Sequence, residues 1–237
     1  MQLWPTLHLA MLLATMAPDA WAGRPLSTDD AATADAGICQ VESWVEAAGG
    51  DAALVLAPAC GVASGLEVDV DYTLPRRHAQ LRAASSLALK WVPEAARIDT
   101  PFGSLAGGLK LRSGFERPVG ANWSHADTSL LALATLEVSD GLALHANLGA
   151  VRDRRSGLSA TLLNIAAAWA VDERVLLFVE SQLNDRSQLA GGTINTVGGA
   201  WWLVPDRLGL HLTASRGPGT ERRTIWTAGF GWYGIGL

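Results

Sequence analysis

Along most of the chain apolar and polar residues alternate with a period of two, the mark of strands that have two different faces. "LEVDVDYTL" is the clearest stretch: Leu66, Val68, Val70, Tyr72 and Leu74 share one face, and Glu67, Asp69, Asp71 and Thr73 share the other. "QLRAASSLALKW" repeats the pattern, with Leu81, Ala83, Leu87, Leu89 and Trp91 opposed to Gln80, Arg82, Ser86 and Lys90. In "LGLHLTA", Leu208, Leu210, Leu212 and Ala214 oppose His211, Thr213 and Ser215. Segments of this kind predict strands near 38–47, 52–60, 65–74, 79–91, 103–112, 128–138, 142–151, 158–170, 174–183, 193–203, 207–216 and 224–232. Most have the length that a tilted membrane strand needs, roughly 9–11 residues, and are longer than usual soluble strands.

"LLALATLEV" and "TLLNIAAAWAV" would be helical on propensity alone. The tight turns at "SDG" and "DE" leave no room for helices to pack, so strands are expected there as well. Connections also alternate. "GVASG", "SDG", "DE" and "VPD" are short, with "PEAARIDTPF" an exception. "SGFERPVGANWSHAD", "RDRRSG", "NDRSQLAGG" and "GPGTERR" are longer. About twelve antiparallel strands, with short turns at one end and longer loops at the other, predict an all-β transmembrane barrel of the outer-membrane type over residues 38–232, its termini facing the periplasm and 233–237 a tail. A soluble β-sandwich alternates in the same way and is the alternative.

Tryptophan placement supports the barrel. Trp44, Trp91, Trp169, Trp201, Trp202, Trp226 and Trp232 fall near predicted strand ends, where an aromatic girdle is expected, and of the Trp201–Trp202 pair one indole should face lipid. Of the 237 residues, 49% are hydrophobic and 17% charged, which suits one large domain. The formal charge of −5 argues against nucleic acid as a partner. Residues 1–22 read as a cleaved signal peptide, with the apolar run "LHLAMLLATMA" and the small-x-small site Ala20-Trp21-Ala22, although Lys and Arg are missing before the run. Residues 23–37 would then be a periplasmic N-terminal segment. No run of about 18 apolar residues follows to make a transmembrane helix.

Export permits disulfides. Cys39 and Cys60 flank Gly49-Gly50, a hairpin turn signal, and a turn centred there opposes residues whose numbers sum to 99, as these two do. A bridge is expected at that separation, two free thiols being the alternative.

Candidate chemistry lies in the lumen. Glu67, Asp69 and Asp71 form an inward acidic strip; Arg82, Lys90, Lys110 and Arg112 form a basic one beside it, Lys90 and Lys110 being the only lysines. Such strips would either set a transverse field across a constriction or neutralise one another and plug the lumen. His145 and Asn147 share the lumen phase, with Ser159 on the next strand, yet a lipid-hydrolysing site needs its nucleophile at the lipid-facing rim. In "WSHAD" the adjacent Ser124, His125 and Asp127 cannot converge as a triad. Histidines and cysteines lack metal spacing, and no cofactor motif is present, so no metal and no cofactor are expected.

"RPLSTDDAATADAGICQVESWVE", "WWLVPDRLGLHLTASRG" and "WTAGFGW" resemble the outer-membrane barrels placed in the MetA pathway of phenol degradation, usually called transporters. The resemblance implies a passive pore or facilitator for small, aromatic or apolar compounds. A structural barrel with a plugged lumen is the second reading and an outer-membrane enzyme acting on lipid the third. The implied partners are outer-membrane lipid and lipopolysaccharide, the barrel-insertion machinery and a small-molecule solute. Outer-membrane barrels commonly end the chain on an aromatic residue, which puts the equivalent end here at Trp232, after outward Trp226, Ala228 and Phe230.

Overall fold

The computed structural model describes residues 26–76, 80–184, 193–217 and 224–237. The signal-peptide expectation, His78 and most of the two loops "NDRSQLAGG" and "GPGTERR" lie outside them. Among the described residues thirteen strands occur in the order β1 Ile38–Ala48, β2 Asp51–Ala63, β3 Leu66–Arg76, β4 Leu81–Trp91, β5 Arg97–Thr100, β6 Gly103–Pro118, β7 Ser124–Ser139, β8 Leu142–Asp153, β9 Ser159–Ala170, β10 Val175–Asn184, β11 Ile194–Val204, β12 Leu208–Arg216 and β13 Thr224–Gly236. Each long strand pairs antiparallel with its sequence neighbours, β1 pairs with β13, and β4 pairs with β6 across the short β5. The sheet therefore closes into a barrel of twelve long strands with no free edge. β5 and a single 3-10 turn, Glu94–Ala96, occupy the link "PEAARIDTPF".

The first hairpin follows the expected register. Residues of β1 and β2 pair from Ala48 with Asp51 through Cys39 with Cys60, around Gly49 (φ 57°) and Gly50 (φ 96°). Positive φ at both central residues is what the tightest hairpin turn requires and what glycine accepts without strain. Cys39 and Cys60 form a disulfide on the outward parity of these strands.

The alternation becomes two walls. Outward, Leu54, Leu56, Val70, Leu87, Leu89, Leu163, Val179 and Leu212 remain exposed, an apolar belt that water would not tolerate and acyl chains would. Inward, the fully or nearly buried positions include Asn147, Thr135, Ser86, Glu67, Lys90 and Glu180. Both Ala/Leu-rich segments are strands, since ladder pairing on each side overrides their local helix propensity.

Several expectations are corrected. The stretch 113–127 is not one long loop: β6 and β7 continue to pair through Gly114 with Asp127 and Glu116 with Ser124, leaving only 119–123 as connection. Phe115 packs against His125 at a ring separation of 5.5 Å and Arg112 pairs with Asp127 at 2.8 Å, which holds the extended hairpin together. The chain after Trp232 is not a tail. β13 itself bulges over Tyr233–Gly234 (Gly234 φ 68°) and then pairs Ile235 with Cys39 and Gly236 with Ile38. The described part of 23–37 does not hang below the barrel; it enters the lumen.

Of the seven girdle tryptophans, Trp91, Trp169, Trp201, Trp226 and Trp232 stand exposed on the outward face, whereas Trp44 and Trp202 point inward and are buried. The reason is a vacancy opposite each inward ring. Trp44 faces Gly229 across the ladder and Trp202 faces Gly209, where a Cβ would lie only 3.3 Å from the indole. Glycine thus provides the space that an inward indole fills. In the turn after Trp202, Asp206 takes a left-handed conformation (φ 57°), which Asp tolerates better than bulkier residues.

Candidate functional site in the barrel lumen

An extended segment, Leu26–Asp35, crosses the barrel interior as a strap before the chain enters β1. Its sequence, "LSTDDAATAD", is small and polar, so its backbone can lie in a narrow lumen, but each buried amide then requires an acceptor. Wall side chains supply them. Glu180 Oε2 accepts the amides of Ser27 (2.7 Å) and Thr28. Asn147 makes a two-way contact, its Oδ1 accepting from the Asp29 amide at 2.8 Å and its Nδ2 donating to the Asp29 carbonyl at 2.7 Å. Thr135 Oγ1 accepts from Ala31 and Glu67 Oε2 from Ala34, both at 2.8 Å. The strap leaves along β2, where the Gly37 amide donates to the Gly61 carbonyl at 2.8 Å; a Cβ on Gly61 would overlap the carbonyls of Ala34 and Asp35.

Apolar contacts hold both ends. Leu26 packs against Ala168, Leu176 and Phe178, and Ala31 sits with Ala106 and Leu133.

The two lysines explain the two adjacent aspartates of the strap. Lys90 and Lys110 are direct cross-strand partners on β4 and β6, an arrangement of like charges that destabilises a ladder by itself. Asp30 meets Lys90 at 2.7 Å, and Lys110 meets Asp29 at 3.0 Å and Asp69 at 3.1 Å. With Lys90 3% and Asp30 5% exposed, neither charge has water as an alternative partner, so each depends on the other.

The expected strips are therefore partly assembled. Glu67, Asp69 and Asp71 face inward on β3, and Glu67 sits directly opposite Lys90. Asp71 accepts from the Ser86 hydroxyl at 3.0 Å. Arg112 lines the same cavity nearer the loop rim and is held by Asp127. Arg82 does not join them: it is exposed at the start of β4, beside a bulge between Leu81 and Ala83 that breaks the alternation. In place of two parallel strips, acids and bases interlock through the strap.

Two cavities flank the strap. One of about 510 Å³ opens toward the longer loops and is floored by Ser27–Asp30, with Glu42, Trp44 and the charged groups above as walls. The other, about 500 Å³, lies toward the termini between Ala31–Asp35, Val92, Trp202 and Tyr233. Tyr233 donates its hydroxyl to Glu42 at 2.6 Å and packs on Trp202 with ring centroids 5.2 Å apart, a join between β13, β1 and β11. Trp44 donates its indole N–H to Glu46 at 2.8 Å.

The enzymatic candidates disperse. His145 is buried inside and bonds Thr135 at 3.0 Å; Asn147 is occupied with the strap; Ser159 pairs with Arg152 at the far end of β8. His125 lies beside Thr128 and Phe115. Among the described residues no cluster of His, Cys, Asp and Glu has a metal-binding arrangement.

Glu180 and Thr135 join Asn147 as anchors of the strap, a role that alternation, which gives only an inward phase, does not assign. The signal for them was the small, acid-bearing run before β1, whose amides needed acceptors.

Residues 9–212 match a family described as uncharacterised conserved protein UCP029691, and the chain belongs to that family. No curated protein matches it. Among solved structures, the chain is similar to the NanC porin (8% identity, TM-score 0.62, covering 82% of this chain and 98% of that one). It is also similar to the KdgM porin (11%, 0.60, 81% and 98%). The COG4313 outer membrane channel from Pseudomonas putida F1 is similar too (12%, 0.56, 88% and 99%). At these identities the likeness concerns the fold, which is that of bacterial outer-membrane barrels.

Proposed function

We propose that this protein is a passive pore of the bacterial outer membrane for small solutes, narrowed by its own N-terminal strap. The observation that carries this reading is the lumen: wall side chains do not fill it, one extended segment crosses it, and a solvent-sized cavity lies on each side. A route that must pass a strap clamped by Lys90, Lys110 and Glu67, with Asp69 bracing Lys110, admits small molecules only, and this charged collar is the constriction. The resemblance to the MetA-pathway barrels supports aromatic or apolar solutes, for which Trp44, Leu131, Val151 and Leu162 offer apolar surface beside the charged groups.

On this reading residues 1–22 direct export and are removed. The apolar belt meets lipid and lipopolysaccharide after delivery by the barrel-insertion machinery, and the exposed tryptophans anchor it at the two interfaces.

The density of strap anchors favours a second reading, a structural barrel whose lumen stays plugged. Planar-bilayer recordings on the full chain and on an Asn147→Ala, Glu180→Gln pair separate the two. A pore gives discrete conductance that grows when these anchors are lost. Silence in both proteins, with both barrels folded, overturns the pore.

A further inference from the structure

The cavity on the loop side has an unbalanced charge. Among the described residues it is lined by seven carboxylates and three cations, a formal net of four negative charges in about 510 Å³. The cations are already committed: Lys90 to Asp30, Lys110 to Asp29 and Asp69, Arg112 to Asp127. Moving the strap does not reverse the sign. Asp29 and Asp30 would leave the cavity and Glu180 and Glu67 would lose the amides they now accept, but the wall still holds five carboxylates against three cations.

A second observation points the same way. On the cavity floor Asp30 is 5% and Thr28 3% exposed, yet Asp30 Oδ2 and Thr28 Oγ1 have no hydrogen-bond partner among the described residues. A buried carboxylate oxygen and a hydroxyl oxygen without donors are costly to leave unsatisfied, so the cavity floor is short of hydrogen-bond donors.

Toward the loops the acidity continues. Glu46 and Asp71 line an adjoining vestibule of about 260 Å³ together with Glu116 and Asp127, against Arg112. Charge of one sign within low-dielectric walls raises the local concentration of counter-ions.

We infer that the lumen selects cations, and that its preferred organic solutes are small ammonium compounds able to donate hydrogen bonds to the cavity floor. This rests on the pore reading and adds a charge requirement to it: an ammonium group beside whatever aromatic or apolar body the solute carries.

The experiment measures reversal potentials across planar bilayers containing the full chain, in a KCl gradient centred near 0.1 M. At that ionic strength the Debye length, about 10 Å, matches the cavity dimension. The expected result is a several-fold preference for potassium over chloride that fades toward unity near 1 M salt. Asp71→Asn with Glu46→Gln keeps the acceptor atoms for Ser86 and Trp44 and leaves the strap anchors untouched. This pair should lower the preference at least two-fold with the barrel still folded. Bi-ionic recordings with ethanolammonium chloride against potassium gluconate should show ethanolammonium passing and gluconate excluded. Absence of any conductance sinks the pore reading and this inference with it. Conductance that prefers chloride or gluconate, or a cation preference unchanged in the folded double variant, overturns this inference alone and leaves the pore standing.

Discussion

On β3, Val70 and Asp71 are adjacent in sequence and face different surroundings. Val70 is 38% exposed on the outward wall, while Asp71 points into the lumen and accepts a hydrogen bond from Ser86. Outside, any apolar side chain of suitable shape would serve, because lipid contacts are unspecific. Inside, each group answers a named partner: Glu67 the amide of Ala34, Asp69 the ammonium of Lys110. The outer wall thus tolerates exchange of apolar residues and rejects charge; the inner wall tolerates charge and rejects the loss of a single partner.

The sharpest break of that contrast is Lys90→Met. It leaves Asp30 buried without its cation and should destabilise the barrel by about 3–5 kcal/mol, read as a lowered urea midpoint. Adding Asp30→Asn should recover most of the loss, and a double change as damaging as the single one would refute the pairing as its source.

On the outer wall, Val70→Arg should cost about 2–4 kcal/mol if the position lies near the bilayer midplane, seen as poor refolding into vesicles on a heat-modifiability gel. Asp71→Asn next to it should refold like the parent; equal behaviour of the two would invert the face assignment.

Replacing Cys39 and Cys60 by serine should remove about 3 kcal/mol, the unfolded-chain constraint expected of a loop of this size. Unchanged unfolding of the reduced parent and of the variant would show that the bridge adds nothing beyond the ladder.

The smallest effect is expected at Arg155, whose bond to Glu116 at 3.2 Å lies in solvent beyond the barrel; Arg155→Ala should change stability by under about 1 kcal/mol. A larger loss would mean that the extended β6–β7 hairpin is supported from outside the barrel.

The inward phase of Glu67, Asp69, Lys90 and Lys110 was readable because parity along a strand is local. The Cys39–Cys60 bridge was readable because a two-residue turn fixes its register. Arg82 stands outside the expected basic strip, since a bulge shifts parity without a mark in the residues themselves. Trp44, expected in the girdle, turns inward because a tryptophan near a strand end has two possible homes, and the choice depends on Gly229, brought opposite it from far along the chain; Trp202 is the inward member of the Trp201–Trp202 pair, opposite Gly209 of the same hairpin.

The sequence by itself determined the twelve long strands, most of their faces, the turn-fixed first hairpin and hence the closed antiparallel barrel, because alternation and turn chemistry act over a few residues. Only the tertiary structure decided that Leu26–Asp35 crosses the lumen. Its anchors, Glu180, Asn147, Thr135 and Glu67, come from four strands separated from it by 33 to 153 positions. Pairing between buried amides and distant side chains is settled when the barrel closes around them, and no local pattern encodes it.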